Sequence, residues 1–154
     1  MNSCSPNVIE ISDDEQFIKV YYKNEMNDVL NTEEKTYQKN LILDGYIKTK
    51  MLFTKEEQTK VLEKAEKINF FLLPDDLSVK VDTTCISGVE SQFGKQIIQI
   101  AFGQKFKKVI FVECSKLLYP EYSNLFNELL SIIITTIKNK PEYKALPPRR
   151  GGIF

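Results

Sequence analysis

The sequence contains no histidine and no tryptophan, and its basic and acidic residues balance to a formal net charge of zero. The missing histidine excludes Ser-His-Asp and Cys-His nucleophile pairs, histidine general bases and the common zinc sites. The zero net charge removes the overall electrostatic footprint of a dedicated nucleic-acid binder. No apolar run reaches the ~18 residues of a membrane-spanning helix. The longest, Leu129 to Ile134, is broken by Ser131 and belongs to an amphipathic pattern. No basic and apolar leader opens the chain, so no complete signal peptide is expected. There is no C-x-x-C, no S-x-x-K, and no glycine-rich phosphate loop, since Gly151-Gly152 precede no helix. Neither cofactor nor metal is therefore expected. What is present is 154 residues, 42% hydrophobic and 27% charged, the profile of one folded domain.

Residues 1–14 are polar and acidic and read as a flexible tether, followed by a single domain over 15–146 and a C-terminal tail over 147–154. Gln16 to Lys23 alternates apolar and polar and predicts a half-buried strand. Asn24 to Lys35 reads as a polar loop. Thr36 to Leu43 and Tyr46 to Phe53 flank Asp44-Gly45, a hairpin signal because both central residues of a type I′ turn need positive φ. Thr54 with Glu57 forms a capping box that opens a helix with Val61, Leu62, Ala65 and Ile68 on one face. The helix ends near Asn69, and Phe70 to Pro74 follows as an apolar plug. Val79 to Ile86 predicts a strand. Lys95 to Phe102 and Lys105 to Glu113 predict a second hairpin, apolar on both faces and hence central in its sheet. Pro120 and Ser123 precede a second helix, with Leu125, Phe126, Leu129, Leu130, Ile133, Ile134 and Ile137 on its apolar face. The order βββαβββα predicts an α+β two-layer sandwich, an antiparallel sheet of about six strands with two helices on one face.

Several residue groups carry candidate chemistry. Asp75, Asp76 and Asp82 gather oxygen ligands that could hold Ca²⁺, but their spacing fits no EF-hand and a solvated loop explains them. Lys105, Lys107 and Lys108 surround Phe106 in a pattern seen on single-strand binders. Glu113 and the neutral total weaken it, Phe106 reads as core, and no nucleic-acid partner is expected. The charge is uneven along the chain: residues 1–45 hold 4 Lys+Arg against 9 Asp+Glu, and residues 46–154 hold 17 against 12. Arg149-Arg150-Gly151-Gly152 reads as a flexible tail, yet Ile153-Phe154 would dock more stably than float, along the domain's own sheet or in a partner's groove. Cys85 and Cys114 sit at predicted strand edges. Either they bridge, as an oxidising compartment would allow, or they pack as buried free thiols.

Met1-Asn2-Ser3-Cys4-Ser5-Pro6-Asn7 resembles the cleavage region of a bacterial lipoprotein, in which a small residue precedes the cysteine that receives lipid. By that resemblance Cys4 is the lipidation candidate and the membrane is met only through a lipid anchor at the bacterial cell envelope. Without lipid, Cys4 is an exposed thiol of a cytoplasmic protein. Phe53-Thr54-Lys55-Glu56-Glu57 with Ile68 to Pro74 resembles a Leu-Thr-x-Glu-Glu … Phe-Phe-x-Leu-Pro pattern of small bacterial envelope lipoproteins and emfourin-like protease inhibitors. The segments Lys140 to Pro147 and Gly151-Gly152 are similar to the ends of the lipoprotein group. The resemblance implies a non-catalytic envelope domain that binds a macromolecular partner, expected to be a protein. The alternative is a soluble inhibitor or immunity-type protein acting by occlusion.

Overall fold

The computed structural model describes residues 17–80, 83–84, 95–112 and 115–151. The opening alternation forms β1 (Ile18–Lys23), with Ile18, Val20 and Tyr22 buried and Lys19 exposed. β2 (Val29–Asn31) follows, then β3 (Thr36–Asn40) and β4 (Tyr46–Lys50). β2 corrects the expected polar loop at 24–35. A three-residue strand with one fully buried side chain, Leu30, leaves too short a period to read.

The β3–β4 hairpin forms, but not through a two-residue Asp-Gly turn. Asn40 pairs with Tyr46, and Leu41 to Gly45 make a longer loop. The left-handed residues are Ile42 (φ 68°) and Gly45 (φ 79°), not Asp44. Asn40 Oδ1 accepts the Ile42 N–H at 2.8 Å, a local contact that holds a β-branched residue in this unfavourable region.

Helix α1 spans Lys55–Lys67 and carries the expected capping box. Thr54 accepts the Glu57 N–H at 3.1 Å, and Glu57 accepts the Thr54 N–H at 2.9 Å. Left-handed Asn69 (φ 58°) breaks the chain direction after α1, and a 3₁₀ turn over Phe70–Leu72 drives Phe70 into the core. Leu72 points out to solvent, so only Phe70 and Leu73 of the apolar plug are fully inserted.

The strand expected over 79–86 is replaced by two short pieces, β5 (Val79–Lys80) and β6 (Thr83–Thr84). They pair only with each other, outside the main sheet. β7 (Lys95–Phe102) and β8 (Lys105–Val112) form the second hairpin around Gly103 (φ 59°), whose positive φ at the first turn position any Cβ would resist.

The main sheet is antiparallel with strand order β4-β3-β2-β1-β7-β8. β7 is internal as expected, but β8 is an edge strand. Its apolar character has a different cause. The Leu77 N–H donates to the Ile110 carbonyl at 2.8 Å, and the Ile110 N–H donates to the Asp75 carbonyl at 2.9 Å. The segment after α1 therefore covers the outer edge of β8.

After β8 come a short helix α2 (Ser115–Leu118), the long α3 (Pro120–Lys138) and a single turn α4 (Pro141–Lys144). α3 begins at Pro120 itself, since proline at the first helical position removes only an N–H that has no partner there. Ser123 lies inside α3, where its hydroxyl donates to the Ser115 carbonyl at 2.9 Å. Buried Ser115 in turn donates to the Leu77 carbonyl at 2.8 Å and accepts the Val112 N–H at 3.0 Å.

The two long helices cover one face of the sheet, and the fold is α+β. Val20, Leu30, Ile98, Ile100, Val109 and Phe111 meet Val61, Ala65, Phe126, Leu129 and Ile133 in one core. Phe111 and Phe126 stack with centroids 4.7 Å apart and planes at 5°. Among the described residues, no helix is long and apolar enough to cross a membrane.

Candidate functional site

Among the described residues, helices lie on one side only and leave the other face of the sheet uncovered, and strand register fixes what it displays. Side chains directly opposite one another share a face. One continuous row runs Lys50, Thr36, Asn31, Tyr21, Gln99, Lys108 across all the strands from β4 to β8. The next runs Lys48, Gln38, Val29, Lys23, Ile97, Ile110. A third places Lys19 opposite Ala101 and Ala101 opposite Phe106. Phe106 is 62% exposed. The expectation that Phe106 belongs to the core is therefore corrected. It alternates with Lys107 rather than with Val109's neighbours on the outer face, so the core claims Lys107's position and Phe106 faces water.

Register also splits the Lys105, Lys107, Lys108 patch. Lys105 turns to the helix side, 3.4 Å from Glu66 and over the Phe71 ring at 5.4 Å. Lys107 is on the same side, 2.5 Å from Asp75. Lys108 alone joins Phe106 on the open face and has no carboxylate partner among the described residues. Lys23, Lys48, Lys50 and Lys95 share that condition. Among the described residues, Glu33 lies on this face 3.3 Å from Lys19, and Glu34 lies near Tyr21. Partial burial, with the nearby Glu34 charge, raises the Tyr21 pKa, so Tyr21 stays a neutral ring with a hydroxyl tip. A shallow groove of about 160 Å³ runs between Tyr21, Gln99, Ala101 and Phe106, with the Lys19–Glu33 pair at its wall.

A second concavity, of about 360 Å³, lies where the end of α3 meets β1 and β3. Tyr22 and Tyr37 line it, and each is 4% exposed. Burial, then the charges of Glu25 and Asp28, pushes the Tyr22 pKa up, and burial followed by Asp28 does the same for Tyr37. Both hydroxyls remain protonated at neutral pH. Beside them Asp28, 2% exposed, accepts the Asn40 N–H at 2.7 Å and Asn24 Nδ2 at 2.9 Å, and pairs with Arg149 Nη2. Arg149 Nε is buried without a hydrogen-bond partner among the described residues. This wall is made by the C-terminal segment. Pro147 accepts from Lys39 Nζ at 2.8 Å, and Arg150 forks onto Asp44 with two contacts of 2.8 Å. Arg150 also bridges Ile42. Gly151 (φ 84°) sits so close to Leu43 that an added Cβ would meet its Cγ at 2.4 Å. Residues 147–151 thus lie along the domain's own sheet, which corrects the flexible tail expected at Arg149 to Gly151. Nothing in the sequence singles out Asp28 as their anchor, because its partner is 121 residues away.

Asp75 and Asp76 do not converge as ligands. Asp75 pairs with Lys107, while Asp76 accepts the Ser78 N–H at 2.8 Å and the Ser78 hydroxyl. No group of three or more His, Cys, Asp or Glu residues is placed to hold a metal among the described residues. Asp82, the lipidation candidate Cys4, the disulfide candidates Cys85 and Cys114, and Ile153-Phe154 lie outside the described residues. No family model matches the chain, and neither a curated protein nor a solved structure does.

Proposed function

We propose that the chain is a non-catalytic binding domain whose contact surface is the helix-free face of its sheet. One observation carries this reading. A six-stranded sheet that buries one face against helices exposes on the other an aromatic ring, amide side chains and a set of lysines without carboxylate partners among the described residues. An exposed face with no further role is expected to mix charges of both signs. Here one lysine, Lys19, pairs with Glu33, and among the described residues Lys23, Lys48, Lys50, Lys95 and Lys108 have no carboxylate partner, while the helix side pairs Lys64 with Glu128, Lys140 with Glu57 and Lys107 with Asp75. Large side chains such as Phe106, ringed by polar groups, are the composition of a contact surface.

Co-purification of the tagged full-length chain tests the face against the helices. The face variant Lys48→Glu/Lys108→Glu/Phe106→Ala is compared with the helix-side variant Lys60→Glu/Lys67→Glu. Loss of bound macromolecule in the first and retention in the second is the expected pattern. Equal retention by both variants overturns the reading.

A further inference from the structure

We infer that the helix-free face binds single-stranded nucleic acid, with lysines on the phosphates and Phe106 and Tyr21 against the bases. This rests on the assignment of that face as the contact surface and adds the class of partner. Three points in the sequence weigh against nucleic acid: a neutral total charge, a core position for Phe106, and Glu113, which lies outside the described residues. The second is corrected by the register. The first does not hold evenly over the face: among the described residues Glu33 pairs with Lys19 and Glu34 lies near Tyr21, while Lys23, Lys48, Lys50, Lys95 and Lys108 have no carboxylate partner. Asp28, Asp44, Glu57, Glu66 and Asp75 are all spent on cations away from this face.

The arrangement matches the chemistry of a single strand on three counts. Strands lie about 4.8 Å apart, so the face is about 24 Å wide, enough for several nucleotides. Lys48 and Lys50 stand at one side, Lys23 in the middle, and Lys95 and Lys108 at the other. A backbone crossing perpendicular to the strands meets lysines on β4, β1, β7 and β8, with Thr36, Gln38 and Asn31 on β3 and β2 between them. Between them Tyr21 and exposed Phe106 flank the groove with ring surface that any base can stack on. Gln99 in the same row offers both a donor and an acceptor to base edges. Asn31 offers its Nδ2, since its Oδ1 already accepts the Glu33 and Glu34 N–H groups. A duplex would not use these rings, because its bases are already stacked. An acidic peptide would satisfy the lysines but leave the rings and amides without a matched surface.

Fluorescence anisotropy with the full-length chain and labelled oligo-dT and oligo-U of about 20 nucleotides provides the test. Saturable binding is expected, with five unpartnered lysines setting a salt slope near −3.5 and a fall of about 100-fold in affinity from about 50 to about 200 mM salt. Lys48→Ala/Lys50→Ala/Lys108→Ala is expected to reduce that slope by about 2. Phe106→Ala is expected to weaken binding about 5- to 100-fold with the slope unchanged. These residues are exposed, and circular dichroism melting confirms that each variant folds. Absence of saturation at about 100 μM protein and low salt overturns the inference, as does equal affinity for duplex or indifference to the face variants. The co-purification comparison separates the two levels. If oligonucleotides fail while the face variant still loses a nuclease-resistant partner, the nucleic-acid inference falls and the face assignment stands. If both fail, both fall.

Discussion

Removing Arg149 should open the C-terminal clasp and destabilise the whole domain. Asp28 is buried and holds three partners: the Asn40 N–H at 2.7 Å, Asn24 Nδ2 at 2.9 Å and the Arg149 guanidinium. Arg149→Ala leaves its carboxylate buried and short of one charge-assisted contact. Breaking a buried pair from one side costs about 3–5 kcal/mol. The surviving hydrogen bonds and the 26% exposure of the Arg149 side chain bring the expected loss to about 2–3 kcal/mol. Asp28→Ala also strands Asn40 and Asn24, for about 4 kcal/mol. The double variant should be no worse than Asp28→Ala alone, which makes the two losses strongly non-additive. Urea denaturation reads this directly. With a slope of about 2 kcal/mol per M, Arg149→Ala lowers the midpoint by about 1–1.5 M. Arg150→Ala is the internal control. Its fork on Asp44 lies in water, where the hydrogen bond holds the Asp44 carboxyl below its usual range yet is screened by salt. Its midpoint should move far less, and less still at high salt. An Arg149→Ala change within about 0.5 kcal/mol of the parent, or additivity with Asp28→Ala to the same margin, refutes the clasp as an energetic unit.

Thr54→Ala removes the acceptor of the α1 capping box and should cost about 1 kcal/mol, a fall of about 2–4 °C in Tm by scanning calorimetry. Glu57 should make stability acid-sensitive. Burial raises its pKa, but the Lys140 ammonium and the Thr54 contacts outweigh burial and leave it below the ordinary carboxylate range. A group depressed in the folded state stabilises above its unfolded pKa and loses that contribution as pH falls through the folded one. The parent's urea midpoint should therefore drop below about pH 4.3 more steeply than that of Glu57→Gln, and parallel titrations would count against it. Phe126→Ala breaks the stack on Phe111 and empties a fully buried site, so a loss of about 3–5 kcal/mol in urea is expected; a loss under about 1 kcal/mol would mean that α3 is not packed as described.

Local chemistry was legible before the structure; register and long-range pairing were not. The Thr54–Glu57 capping box spans three residues and needs no tertiary information. The apolar residues on both faces of Lys95 to Phe102 similarly point to an internal strand, which β7 is. β2 failed because three residues in an Asn- and Glu-rich segment give no period to detect. The Asp44-Gly45 signal found the right reversal but the wrong left-handed residues, since Asn40 stabilises Ile42 from outside the dipeptide. Phe106 was assigned to the wrong face because hydrophobicity was weighed without parity. One step along a strand reverses the face, and Lys107 holds the inner position through Asp75. The open face depends on all these registers together, so no single segment announces it. The Asp28–Arg149 pair joins two residues whose neighbours in sequence carry no matching pattern.

The clasp also sets an order of events during synthesis. The ribosome adds roughly 5–20 residues each second, so the 121 residues between Asp28 and Arg149 take roughly 6–24 s to make. For that interval the nascent chain has Asp28 without its guanidinium. The hairpins and α1 can assemble meanwhile, but the pocket around Asp28 can close only after Arg149 emerges. Any product truncated between the two positions lacks the guanidinium that Asp28 pairs with in the finished protein.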